Sequence, residues 1–346
     1  MGTTRSGERA GMLVLAFFVF TVLCCGCTGE QNVVVVFTSL DKEFSAPVLK
    51  RFEKETGIKV KAQYDDEAVK TVGLVNRLLQ EHKSGQVQCD VFWNSETSRA
   101  LFLKKRGVTQ PYASPSAKDI PAAFKDPKNH WTGFAARARV LVYNTKQLTK
   151  DKLPKSIFEL TEPQWKDKVG IAEPTAGTTG SHVAALAVVL GREKALDYFR
   201  KLAANGCRKY PGNSTVRDRV AQAEVLIGFT DTDDVFAGMA HGKPINQIFP
   251  DADGMGTLVI PNTVMLMAGA PNADNGKKLI DWLLRRETEA ILAKADSRQI
   301  PLREGVTVPE DGVTLGDIKA MKVDISAVSD TLNKIAPVVR DILDKK

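Results

Sequence analysis

The chain has 346 residues, of which 43% are hydrophobic and 26% charged, and its formal net charge is +7. Those fractions are typical of a soluble globular protein and exclude a disordered or low-complexity polymer. The basic clusters Lys104-Lys105-Arg106 and Arg285-Arg286 are short and lack interleaved aromatics. They read as solvated helix faces, not as a nucleic-acid surface.

At the amino terminus, Arg5 and Arg9 precede an unbroken apolar run, Met12 to Leu23. A spanning helix needs roughly 20 apolar residues, so this run is too short for one. A charged start, a short apolar core and a small residue before a cleavage point make a secretory signal. Gly26 is that small residue and Cys27 follows it, the pattern of a bacterial lipoprotein signal, although Cys24 stands where leucine is usual. The expectation is a signal peptide over 1–26, lipidation at the Cys27 thiol and a polar tether over 27–32. A plain secretory signal with incidental cysteines is the alternative. The protein then sits in the cell envelope, on the periplasmic side or outer surface of a bacterial membrane, held by lipid.

The remainder is long enough for two domains. Val33–Phe37 is a short apolar run typical of a buried parallel strand. Phe44, Val48, Leu49 and Phe52 then recur at helical spacing, and Gly57 closes that helix. Ile58–Tyr64 alternates as a second strand, Leu74–Leu79 marks a helix, Cys89–Trp93 a third strand and Ser98–Lys105 a third helix. The pattern restarts with strands at Arg139–Tyr143 and Val169–Ala172, a helix over Ser181–Leu190, an amphipathic segment over Ala195–Ala203 and a strand at Val225–Phe229. Thr257–Met267 is a long apolar stretch broken by Pro261-Asn262. One long helix is expected from Asp274 to about Ala295, and another over Asp324–Lys346. Repeated β-α alternation implies parallel sheet covered by helices. The fold class is therefore α/β, in two lobes with a hinged cleft between them, since ligands in open α/β sheets bind beyond the carboxyl ends of strands.

Several polar loops follow strands directly. They contain Asp41, Glu96, the run Thr175-Ala176-Gly177-Thr178-Thr179, and the acidic run Asp231-Thr232-Asp233-Asp234. The Gly/Thr run opens a helix and so outlines an anion site. An ordinary turn capped by Ser181 explains it equally well. Three carboxylates in four residues repel one another unless a cation is near. They suit a hard cation, an ammonium or a guanidinium. The competing explanation is helix capping by Asp231 or Asp233, and Asp41 and Glu96 share that explanation. Past Cys27 only Cys89 and Cys207 remain, too few for a disulfide framework. No nucleophile elbow and no zinc or EF-hand spacing is present, so catalysis is not indicated.

The segments DKEF…VLKRFEKETGIKV, TVGLVNRLLQE, DVFWNSE, GFAARARVLVYNT and PNTVMLMAGAPN…LIDWLL resemble the periplasmic ferric-iron-binding branch of ABC-transporter solute-binding proteins. The resemblance runs from about Val33 to Pro301. It implies a type II periplasmic-binding fold with lobe 1 over 33–138 and 264–300, lobe 2 over 139–263, and a helical segment over 301–346 packing on the lobes. It also implies a monomer delivering its ligand to an ABC permease with a cytoplasmic ATPase. Ferric-binding members hold Fe³⁺ with paired tyrosines, often a His and a Glu, and a small synergistic anion. Here the tyrosine pair falls on Asp233-Asp234, the His on Asp41 and the Glu on Ser95 or Glu96. The anion loop falls on Thr175–Thr178, with Asn213 and Asp231 beside it, and an arginine falls on Arg137 or Arg139. The expected metal set is Asp41, Glu96, Asp233 and Asp234. The wider ligand set adds Arg137, Thr175, Gly177, Thr178, Thr179, Asn213 and Asp231. Loss of the tyrosines leaves open a small organic phosphonate, phosphate or amine-bearing solute, or an exported α/β hydrolase.

Overall fold

The computed structural model describes residues 1–4, 32–64 and 72–345. Cys27 and most of the expected signal segment lie outside the described residues. The elements below all belong to the unit Asn32–Lys346.

Strand β1 (Val33–Thr38) is almost wholly buried and runs parallel to β2 (Lys59–Tyr64) and β3 (Val91–Asn94). Helix α1 (Lys42–Thr56) connects β1 to β2 and buries Phe44, Val48, Leu49 and Phe52 along one face. Gly57 ends it in the left-handed conformation, with its N–H bonded to the Glu53 carbonyl at 2.9 Å. Helices α2 (Val72–Ser84) and α3 (Thr97–Lys105) flank β3, and the two-residue β4 (Thr109–Gln110) pairs with a later strand.

The strand β5 (Thr132–Asn144) is buried along its entire length. Residues 132–138 pair antiparallel with β10 (Val259–Met267), and residues 139–144 pair with β8 (Ile227–Asp231) and β9 (Ile245–Ile248). The strand order is β2-β1-β3-β10-β5-β8-β6-β7, where β6 is Val169–Ala172 and β7 is Arg208–Tyr210. The second half carries helices α4 (Gly177–Leu190), α5 (Arg192–Ala204), α6 (Asn213–Ala221) and α7 (Thr232–Ala240). Helices α8 (Ala273–Leu283) and α9 (Arg286–Lys294) return to the first half. The last helix, α10 (Ile325–Asp344), packs on α4, α5 and α3.

Separate cores result from this layout. One gathers Val34, Phe52, Trp93 and Leu283 in the first half; another gathers Leu141, Phe199, Ile227 and Leu332 in the second. The β5–β10 register shifts at Pro261/Asn262, so that Ala135 has no partner across the ladder. Ala135 takes φ 41°, a left-handed conformation that a bulge demands and that L residues rarely adopt. Its N–H is held by the Glu289 carboxylate at 2.9 Å and its carbonyl by the Asn262 amide.

Some expectations need correcting. The single helix from Asp274 to Ala295 is two, because the chain breaks at Leu284-Arg285. Helix α4 starts a turn early, with Ala176 as N-cap, so Ser181 lies inside it and caps nothing. The short elements β4, β7, β9 and α6 were not anticipated. Cys89 and Cys207 are both free thiols. Among the described residues, no helix is long and apolar enough to cross a membrane.

Candidate functional site

Strand β8 ends at Asp231 and helix α7 begins at once, which brings Asp231, Asp233 and Asp234 into a buried cluster with carboxylate oxygens within 4.8 Å of one another. Three like charges buried together need nearby cations. Alternate residues of a strand share a face, so β5 supplies two at once. Arg139 Nη1 donates to Asp231 Oδ1 at 2.8 Å, and Arg137 Nε lies 3.0 Å from Asp233 Oδ2. The second contact is a close ion pair whose angle falls short of a directed hydrogen bond. Burial alone pulls the Arg137 guanidinium down, but Asp233, Asp231, Asp41 and Asp234 outweigh it and hold its pKa above the ordinary value.

Asp231 is saturated by donors. Its Oδ2 accepts from the Thr178 hydroxyl at 2.5 Å and from the Asn213 amide at 3.0 Å, while Arg139 holds Oδ1. The Thr179 hydroxyl donates to Asn213 Oδ1 at 3.1 Å. The side-chain donors at the start of α4 therefore already grip a carboxylate, the one belonging to Asp231. Asp234 Oδ2 accepts from the Thr230 hydroxyl at 3.0 Å, and Gln299 Nε2 stands 3.4 Å from Asp233 Oδ2. Asp41 and Asp231 occupy N-cap positions, yet neither side chain caps its helix. Capping does not explain Asp41 or Asp231, whereas Asp233 Oδ1 does accept the Asp234 N–H in the first turn of α7 at 3.1 Å.

Asp41, Asp231, Asp233 and Asp234 line one cavity of about 40 Å³ together with Arg137 and the Gly177–Thr179 turn. Asn213 also lines it, so most of the expected residues converge. Glu173 on its rim is neutralised by Lys209 at 2.9 Å. Four aspartates, with Arg137 and Arg139 paired to two of them and the Arg217 guanidinium donating to the Asp234 carbonyl at 3.4 Å, surround a space fit for an ion or a few waters. Oxygen-lined, acidic and small is the donor chemistry of a hard cation.

Two expected residues do not belong to this cavity. Glu96 is fully buried, and its Oε2 accepts from the Ser181 hydroxyl at 2.8 Å in a contact between α3's first turn and α4. Thr175 turns its hydroxyl to Glu173 Oε1 at 2.7 Å and faces a different cavity. Of the two positions expected for the family's Glu, Ser95 lines the acidic cavity and Glu96 does not; Ser39 and Leu40 line it too and were not among the expected ligand residues, although they sit in a strand-end loop of the kind that bears ligands. Gln299 had no sequence signal, being brought to Asp233 by the chain after α9.

The chain resembles several known proteins. "Iron uptake protein A1" of Synechocystis is 27% identical over 304 residues, covering 84% of this chain and 82% of its own. Iron-bound HitA from Pseudomonas aeruginosa superposes with a TM-score of 0.79 at 20% identity, covering 89% of this chain and 99% of its own. AfuA from Actinobacillus pleuropneumoniae, solved with fructose-6-phosphate, superposes with a TM-score of 0.78 at 22% identity over 90% of this chain and 99% of its own. Likeness at that identity shows the two-lobed α/β fold. The family model for bacterial extracellular solute-binding proteins matches residues 92–319, well over half of the chain. The exported-hydrolase alternative is thereby set aside, and the chain belongs to the bacterial extracellular solute-binding protein family, whose members bind for transport and are not enzymes.

Proposed function

We propose that this protein captures a hard metal cation, ferric iron foremost, and passes it to an ABC permease with its ATPase. The observation that carries the reading is the small, oxygen-lined cavity walled by Asp41, Asp233 and Asp234, with the oxygens of Asp231, Asp233 and Asp234 within 4.8 Å of one another. A carboxylate is a hard oxygen donor, as a phenolate is. The names of the relatives, an iron uptake protein and an iron-bound binding protein, support the same cargo. Asp231, already gripped by Arg139, Thr178 and Asn213, takes the position a synergistic anion needs, so the cation is held without an added one.

In this reading the lobes are 33–138 with 264–300, and 139–263, with 301–346 packed across them. The strands β5 and β10 form the hinge, and the Ala135 bulge is where they give. The mature chain is a monomer anchored by lipid at Cys27. An anchored receptor keeps captured cargo at high local concentration near its permease.

A phosphorylated solute is the second reading, supported by the fructose-6-phosphate bound to AfuA. A phosphate here meets four aspartates and finds its hydroxyl donors taken. One assay separates the readings. Metal analysis of the purified protein and thermal shifts with Fe³⁺-citrate, Ga³⁺ and fructose 6-phosphate are compared with those of Asp233→Asn and Asp234→Asn. Copurifying metal and a shift lost in both variants are expected. Protein without metal that responds only to the sugar phosphate overturns the cation.

A further inference from the structure

A second cavity, of about 300 Å³, lies among α2, α3, α10 and the loop leading into α4. Its walls include Arg99, Arg340, Asn76, Asn333, Thr175 and Phe102. Arg99 is only 6% exposed. The other buried arginines, Arg137, Arg139 and Arg303, each face a carboxylate at 3.0, 2.8 and 3.0 Å. Arg99 has no such partner among the described residues. Its Nη1 donates to the Asn333 carboxamide at 3.1 Å, and its Nε is buried with no hydrogen-bond acceptor.

A guanidinium removed from water without an opposite charge is costly, because it cannot shed its proton. The fold retains this one facing a cavity rather than packed against apolar atoms. Arg340 lines the same space, held by Asp341 at 2.9 Å. Two guanidinium groups and two carboxamides form a donor set matched to an oxyanion. The volume exceeds that of an inorganic ion, and the Phe102 ring forms part of the wall, which favours an organic body on the anionic head.

We propose that this cavity binds a small organic anion through its carboxylate or phosphate, with Arg99 as the buried counter-charge. The site is separate from the acidic cavity and does not depend on what that cavity carries. It joins α3 to α10 and to Thr175, two residues before the Gly177–Thr179 turn that lines the acidic cavity.

The test is calorimetric titration of the full chain, stripped of metal, with succinate and with glycerol 3-phosphate. Binding of at least one is expected, weakened about tenfold or more, or ~1.4 kcal/mol, by Arg99→Gln. Arg340→Gln weakens it less, and Asp233→Asn leaves it unchanged. No binding of either probe up to about 10 mM, weaker than any functional affinity, overturns the site. So does binding that both arginine variants leave intact, or binding that Asp233→Asn abolishes. Should Arg99→Gln fail to fold, Arg340→Gln decides: its side chain is 43% exposed, its loss is tolerable, and an unchanged affinity rejects the proposal.

Discussion

Replacing Asp231 with alanine removes the carboxylate on which Arg139, Thr178 and Asn213 converge. Arg139 is 2% exposed and has no other acid within ion-pair distance among the described residues. Breaking a buried ion pair from one side costs about 3–5 kcal/mol, because the remaining charge stays out of water. That is a large part of a typical total stability of about 5–15 kcal/mol. With roughly 2–4 °C of Tm per kcal/mol in chains of this class, Tm should fall by about 10 °C. The vacated donors still point at an empty carboxylate position, so acetate or formate should fill it. At a concentration of 100 Kd the anion returns about 2.7 kcal/mol, more than half of the loss. Thermal unfolding of wild type and Asp231→Ala in acetate, against chloride at equal ionic strength, reads both effects. A variant within about 2 °C of wild type refutes the buried-pair argument, a shift too small for one lost kcal/mol. Equal stabilisation of both proteins by acetate refutes the idea that Asp231 stands in for an anion.

Two further outcomes concern other buried charges. Glu289 is fully buried; it binds Arg303 at 3.0 Å and also accepts the N–H groups of Ala135 and Leu302 at 2.9 and 3.0 Å. Glu289→Ala should destabilise by about 3–5 kcal/mol, and Glu289→Gln by less because an acceptor for the backbone survives, as urea denaturation would show. His182 is buried on α4 against Phe229, and burial, with Arg139 adding to it, lowers its pKa from 6.5 to about 3. A depressed imidazole favours the folded state fully above pH 6.5, and that contribution is lost as pH falls from there towards 3. Between pH 7.5 and 5 the unfolded chain gains a proton that the folded one refuses, so stability should drop by roughly 2 kcal/mol. His182→Leu should flatten that interval; an unchanged slope means the folded imidazole already titrates.

What the sequence made legible is what local physics decides. The Val33–Phe37 run and the Phe44/Val48/Leu49/Phe52 spacing gave β1 and α1 because a strand's burial and a helix's apolar face are written within a few turns. The Asp231–Asp234 run was legible as an oddity for the same reason: three carboxylates in four residues conflict locally wherever they fold. What settles that conflict is not local. Arg137 and Arg139 come from β5, and their reach to Asp233 and Asp231 depends on β5 pairing with β8. Glu96 and Thr175 were misplaced by the converse error. Each stands in a strand-end loop, where ligands bind in open α/β folds, but each has a polar neighbour that only packing reveals, Ser181 for one and Glu173 for the other. Arg99 carried no signal at all, since its burial is completed by Asn333 on a helix at the far end of the chain. The Ala135 bulge was invisible too, because alanine does not advertise a left-handed backbone as glycine does. The unexpected φ is held by Glu289 and Asn262, and both lie more than a hundred residues away in sequence. The strain at that one position is therefore offset by contacts that only the assembled fold brings together.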